Sequence, residues 1–363
     1  MDRLLVLRRE EEDEAGHYLS ALAGALEGRG LEVALRPLAA KGLLGAESDR
    51  GVLGEGEKGE GERGERGRGV FLLVDGGLLG LLHGSAALAR TIALLSPALL
   101  APAPSALITA REALLAHLLP RLGLALAATK ATASLFAERL ALPPGRLLVL
   151  PPGGDGHAGT IQAALPPASA ATPRILIPVF GPEVALATPF AALARLFDLR
   201  FQITLALMGD DPARGDDPAG DDDSTRGEAI ARQAAAAGLP PVEIIPRAGR
   251  ESLSADLLLL PEDRGAIGVA AAWAAAQGLP VALGVEQAGR ELIAEGAAAF
   301  YPAGDAVQLS RALRRMIADP ELRQAMRHQA AAKAGEIRPW AERGARLARV
   351  VSALESFITS VED

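Results

Sequence analysis

A chain of 363 residues has room for two domains of ordinary size, each with its own core. Its net charge of −8 argues against general binding to a phosphate backbone, and its lack of cysteine excludes disulfides and thiolate metal sites. Apolar residues make up 49% of the chain but aromatic ones only 3%, and no apolar run reaches the ~18 residues that span a bilayer.

In chain order, Arg3 to Arg8 reads as a first strand, and the acids after Leu4-Leu5-Val6-Leu7 do not suit a signal peptide. Gly16 to Leu26 has apolar residues at helical spacing, and Gly28-Arg29-Gly30 ends it before a second strand, Leu31 to Leu35. Glu10, Glu11, Glu12, Asp13 and Glu14 precede this helix and read as a solvated acidic loop, unsuited to a diphosphate. Gly45 to Gly69 mixes Gly, Glu, Arg and Lys, with no large apolar side chain after Leu53. It reads as a disordered surface insert, with an interaction tail as the alternative. Strands follow at Val70–Val74, Thr91–Leu95, Leu124–Ala128 and Leu147–Leu150, with a helix from Thr129 through Leu140. His83, His117 and His157 have no carboxylate at a telling spacing and read as surface or partly packed residues.

The Pro/Ala-rich stretch Leu165 to Pro173 is the natural domain boundary. Beyond it, Arg174–Phe180, Phe201–Met208 and Val242–Ile245 read as strands, and Gly227 to Ala237 as a helix. The seven aspartates between Gly209 and Glu228 lack the register of a calcium loop and read as solvated. From Ser254 the pattern sharpens. Leu257–Leu260 is a short apolar strand, Gly265-Ala266-Ile267-Gly268 a loop, and an alanine-rich helix runs to Gly278-Leu279-Pro280. The strand Val281–Val285 then completes a βαβ unit whose loop lies where such sheets bind ligands.

Ala255, Asp256, Pro261, Gly268, Ala274, Gly278, Pro280 and Val281 resemble the donor-site pattern of glycosyltransferase family 4. That pattern is A-D-x-x-x-x-P-S-x-x-E-G-F-G followed by E-A-M-A-x-G-x-P-V. The segment VDGGLLGLL from Val74 resembles a stretch in a bacterial branch of the family, and Thr129 with Thr132 resembles its S-x-x-T. Pro151 to Asp155 resembles its hinge, Ala288 to Gly296 its G-x-x-E-x-V-x-x-G, and Phe300 to Asp305 its L-V-P-P-G-D. Asp319-Pro320-Glu321-Leu322-Arg323 and Ile337-Arg338-Pro339-Trp340 resemble its closing helices.

The resemblance implies an α/β chain of GT-B architecture, two Rossmann-like doubly wound parallel-sheet domains facing across a cleft. An acceptor-side domain would cover residues 1–165, with the insert 45–69, and a donor-side domain 174–336. A terminal helix, 340–363, would pack back on the first. The implied donor-binding positions are Gly16, Arg247, Ala248, Arg264, Gly265, Ala266, Ile267, Gly268 and Trp273.

The implied reaction is transfer of a hexose from a sugar nucleotide to an acceptor hydroxyl, with no metal and no cofactor beyond the nucleoside diphosphate sugar itself. Departing diphosphate needs its charge neutralised, yet Val179 and Val184 stand where the family has its phosphate cations. Gly265 and Trp273 replace the paired glutamates, and Leu95-Ser96-Pro97 stands where the bacterial branch has His-His-Pro. These departures predict weak or lost activity and a role as a binding or partner subunit, with an active paralogue as partner. Two alternatives remain open at this point. One is an active, divergent glycosyltransferase in which a slipped loop brings Arg264 to the phosphates. The other is a different Rossmann-type enzyme, although no G-x-G-x-x-G follows a strand. The expected setting is the cytoplasm, with no nucleic acid and at most peripheral membrane contact.

Overall fold

The structure, a computed structural model, describes residues 3–9, 14–29, 32–38, 71–75, 90–95, 113–140, 142–154, 172–179, 186–207, 222–245, 255–261, 268–284 and 287–362. The insert 45–69, most of the boundary stretch 165–173 and most of the aspartate-rich segment lie outside the described residues.

The first half builds one sheet. Its elements are β1 (Arg3–Arg9), α1 (Glu14–Glu27), β2 (Glu32–Leu38), β3 (Phe71–Asp75), β4 (Thr91–Leu95), β5 (Leu124–Ala127), α2 (Lys130–Leu140) and β6 (Leu147–Val149). The strands are parallel in the order β2-β1-β3-β4-β5-β6. β4 and β5 are buried at every position, as expected for a parallel sheet with both faces covered. β2 runs past its predicted end at Leu35 and through Pro37. Pro37 lacks an N–H, but β2 is an edge strand paired on one side with β1, so the loss is tolerated there.

The second half builds another parallel sheet. It comprises β7 (Arg174–Val179), α3 (Ala187–Ala194), β8 (Gln202–Leu207), α4 (Asp222–Ala236), β9 (Glu243–Ile245), β10 (Leu257–Leu259), α5 (Val269–Gln277), β11 (Val281–Gly284), α6 (Gln287–Leu292) and β12 (Ala298–Tyr301). Its order is β12-β11-β10-β7-β8-β9. α4 starts five residues ahead of the predicted Gly227, since Asp222-Asp223 suits a helix N-terminus. β12 was not expected from the sequence. It is an edge strand of four residues, too short to show a period.

Three helices close the chain: α7 (Ala306–Ala318), α8 (Pro320–Ala334) and α9 (Trp340–Glu362). Their starts are set locally. Asp305 accepts from the backbone N–H groups of Val307 and Gln308 at 3.0 and 2.8 Å, and Asp319 accepts from Leu322 at 2.9 Å ahead of Pro320. Arg323 then reaches back and donates to the carbonyls of Met316 and Ile317 at 2.8 and 2.6 Å, closing the C-terminus of α7.

α9 returns to the first half and lies on α1. Trp340 meets Tyr18 edge-on with ring centroids 5.2 Å apart, and the Tyr18 hydroxyl donates to the Leu150 carbonyl at 2.7 Å. A Cβ on Gly344 would stand 2.9 Å from the Ala25 Cβ, so only glycine lets these helices approach so closely. Among the described residues no helix is long and apolar enough to cross a membrane.

Candidate functional site at the facing sheet edges

Strand order locates the site before any side chain is considered. In the second sheet β7 continues toward β8 while its neighbour β10 continues toward β11, so the chain departs in opposite directions from these adjacent strands. Such a switch point leaves a crevice beyond the carboxyl ends of the two strands, where open α/β sheets bind their ligands. The first sheet has its own switch between β1 and β3. The segments that leave these strands are 10–13, 76–89, 180–185 and 262–267, all outside the described residues.

The sequence-predicted positions divide accordingly. Arg247, Ala248, Arg264, Gly265, Ala266 and Ile267 lie outside the described residues, as do Val184, His83 and His157. Gly16 lies in the first turn of α1, directly after the β1 switch strand. Gly268 is the N-cap of α5 with φ +89°, a left-handed conformation that favours glycine, and it brings no side chain to the cap. Its carbonyl accepts from Ala272 at 2.8 Å to start the helix. The two helix starts are brought together: Val269 of α5 is buried in the same apolar cluster as Tyr18 of α1 and Trp340.

Trp273 does not line an opening. It is 2% exposed, one of the largest fully buried side chains, and packs with Leu258, Leu260, Leu283 and Leu292. Among the described residues its indole N–H has no hydrogen-bond partner. Trp273, one of the positions expected at the donor site, thus sits on an alanine-rich helix whose residues Val269 to Ala275 are buried, and its indole fills the space between α5 and its sheet. Val179, at the other position of interest, is likewise 3% exposed inside the core.

Among the described residues, Tyr18 and Arg343 are titratable groups with structural contacts near this seam. Burial pushes the Tyr18 phenol well above its usual range, so it stays a hydrogen-bond donor to Leu150 and is no acid-base catalyst near neutral pH. Burial also pulls the neighbouring Arg343 guanidinium down, while attraction to Tyr18 and Glu342 opposes that shift. His117 is exposed, 3.5 Å from an Arg121 nitrogen. Among the described residues no group of His, Cys, Asp and Glu could hold a metal ion.

The Ala255-Asp256 pair serves the opposite end of the sheet. Asp256 accepts from the Arg174 backbone N–H at 2.9 Å and lies 3.8 Å from an Arg327 nitrogen, joining the amino ends of β7 and β10 to the middle of α8. A groove of about 480 Å³ beside the exposed Phe197, floored by Leu196, Phe201 and Leu239, also opens at the amino ends of the strands, away from the switch points.

Among the described residues, a carboxylate that was not anticipated from the sequence links the halves. Glu291 of α6 accepts from the backbone N–H groups of Lys130 and Ala131, at 2.9 and 2.7 Å, at the start of α2.

No protein-family model matches the sequence, and no curated protein matches it. Solved structures do. Sucrose-phosphate synthase from Thermosynechococcus elongatus aligns over 98% of this chain and 100% of that one, with a TM-score of 0.67 and 14% identity. HepE from Anabaena, solved in complex with UDP-glucose, aligns over 97% and 100% with a TM-score of 0.63 and 15% identity. A UDP-forming α,α-trehalose-phosphate synthase from Burkholderia xenovorans, solved with glucose-6-phosphate, aligns over 97% and 100% with a TM-score of 0.59 and 13% identity. At these identities the likeness establishes the fold. The chain has the GT-B architecture, with two Rossmann-like parallel-sheet domains.

Proposed function

We propose that this protein is a divergent relative of glycosyltransferase family 4 whose donor site holds sugar nucleotides poorly, and that it works as a binding or partner subunit beside an active paralogue. The ancestral reaction is transfer of a hexose from a sugar nucleotide to an acceptor hydroxyl. HepE, similar in structure, binds UDP-glucose, which supports a nucleoside diphosphate sugar as the ligand class. In this reading residues 1–165 form the acceptor side, 174–336 the donor side and 340–363 the returning helix, and the protein acts in the cytoplasm without a metal.

The observation that carries the reading is the burial of Trp273 in the place of a family glutamate. A buried indole offers one donor and no acceptor, so it cannot receive hydrogen bonds from the hydroxyls of a ribose. Val179, apolar and buried, adds no charge for a diphosphate. Each charged hydrogen bond lost from such a site removes about 1.5–3 kcal/mol. Two lost cations therefore weaken binding by roughly two to four powers of ten.

Calorimetric titration with UDP, ADP, GDP and their glucose conjugates tests this. The expected result is a Kd weaker than about 50 μM for every ligand, a standard free energy less favourable than about −6 kcal/mol. A tighter Kd for any one of them overturns the degenerate-site reading.

A further inference from the structure

The two halves meet, among the described residues, through contacts of unequal character. Where the chain leaves the first sheet, a Cβ on Gly153 would stand 2.5 Å from Trp340 Cγ. One on Gly154 would stand 2.5 Å from Ile337 Cγ2 and 2.7 Å from the Ala276 Cβ. The Gly154 N–H also donates to the Arg338 carbonyl at 3.2 Å. The outgoing and returning chains are thus packed against each other, and Val269 extends this apolar seam to Tyr18. The Glu291 link is of another kind. It is exposed, a carboxylate accepting from backbone N–H groups, and it joins groups 160 and 161 residues apart in the chain.

The start of α2 explains why a carboxylate sits there. The first N–H groups of a helix have no partner within it. Thr129 serves one of them, its Oγ1 accepting from the Thr132 N–H at 3.1 Å. The N–H groups of Lys130 and Ala131 are each taken by a different oxygen of Glu291, and the helix dipole favours the negative charge. Separating these partners returns both to water, so little is lost beyond the link itself. Separating Gly153 from Trp340, or Val269 from the buried cluster that holds Tyr18, would instead expose apolar surface and break close packing.

We infer that Glu291 is a latch between the two halves: bound to the start of α2 it holds the cleft between the switch points closed, and released it lets the halves turn about the packed hinge at Gly153, Gly154, Ile337 and Trp340. This inference does not depend on the ligand or the reaction proposed above.

Because the chain has no cysteine, a spin-label pair at Glu138→Cys on α2 and Glu295→Cys beyond α6, both exposed, reports the separation by pulsed dipolar spectroscopy. The otherwise unaltered protein is expected to give one narrow distance distribution at about 0.05 M salt. That distribution should gain a longer component near 1 M salt, where the Debye length falls to about 3 Å. Glu291→Gln removes the charge and one acceptor. It should raise the longer component by about tenfold at low salt and leave it nearly insensitive to further salt. Lys130→Pro deletes one donor at a helix position that suits proline, and should open the pair from the other side. Circular dichroism checks that both variants keep their helix content. The latch is overturned if the distance distribution of both variants matches the parent at low salt. It is equally overturned if the Lys130 and Ala131 amides exchange faster while the distance stays fixed, because Glu291 would then be only a helix cap.

Discussion

The two ends of the second sheet carry different kinds of residue. At its amino ends polar groups are paired: Asp256 with Arg174 and Arg327, Arg174 Nε with Gln202 at 3.2 Å, and the Thr204 hydroxyl with Glu243 at 2.9 Å. Toward its carboxyl ends Val179, Leu207 and Leu260 are apolar and buried, and Trp273 fills the space under α5. In open α/β sheets the base serves the fold and the carboxyl edge serves the ligand. Here the base carries the polar pairing, while the described part of the carboxyl edge is core.

The sharpest way to break the comparison is Trp273→Ala. A fully buried Trp replaced by Ala leaves a large cavity, and the expected loss is about 3–5 kcal/mol of unfolding free energy, read by urea denaturation. If Trp273 instead lined an open donor pocket, the loss would stay below about 1 kcal/mol. Trp273→Glu should be worse still for stability, since it buries a carboxylate among leucines, and it should restore no sugar-nucleotide binding.

At the base, Asp256→Ala removes the acceptor of the Arg174 N–H and the partner of Arg327. The carboxylate is half-exposed, so water replaces part of what is lost, and the expected cost is about 1–2 kcal/mol by the same measurement. No change in the variant's denaturation midpoint would mean that the base pairing contributes little, and the contrast between the two ends would fail.

How much of this was legible in the sequence follows the same division. Strands such as Leu257–Leu259 and Thr91–Leu95 are apolar runs between breakers and can be read locally. Asp305 and Asp319 are helix caps, so the motifs that contain them could be recognised without knowing what lies opposite. Trp273 was legible as a missing glutamate, but its depth was not, because burial depends on Leu283 and Leu292 further along the chain. The Glu291 link was hidden for a related reason. Each partner belonged to a stretch already matched to a family pattern, Thr129–Thr132 and Ala288–Gly296, yet nothing local joins residues 160 apart. Likewise, Gly153 and Gly154 read as a hinge, while Trp340 and Ile337 as the residues packed upon it required the fold. Six of the nine positions expected at the donor site lie outside the described residues.

The smallest expected effect tests whether a surviving motif residue near the ligand edge is also structural. Asp305 follows β12, and its carboxylate points at the start of α7. Hydrogen bonds from the helix backbone, that of Gln308 first, hold its carboxyl below the usual aspartate range despite the opposing effect of burial. A depressed value in the folded state means that the ionised form stabilises the fold above the unfolded-state value. That contribution is lost as pH falls through the folded value. Asparagine caps helices nearly as well but does not titrate. Asp305→Asn should therefore lower the melting temperature slightly at neutral pH, and the gap from the parent should close as pH falls through the depressed aspartate range. Melting curves followed by circular dichroism from neutral pH into that acid range measure the gap directly. A gap that stays constant with pH would show that the Asp305 charge contributes nothing through the helix.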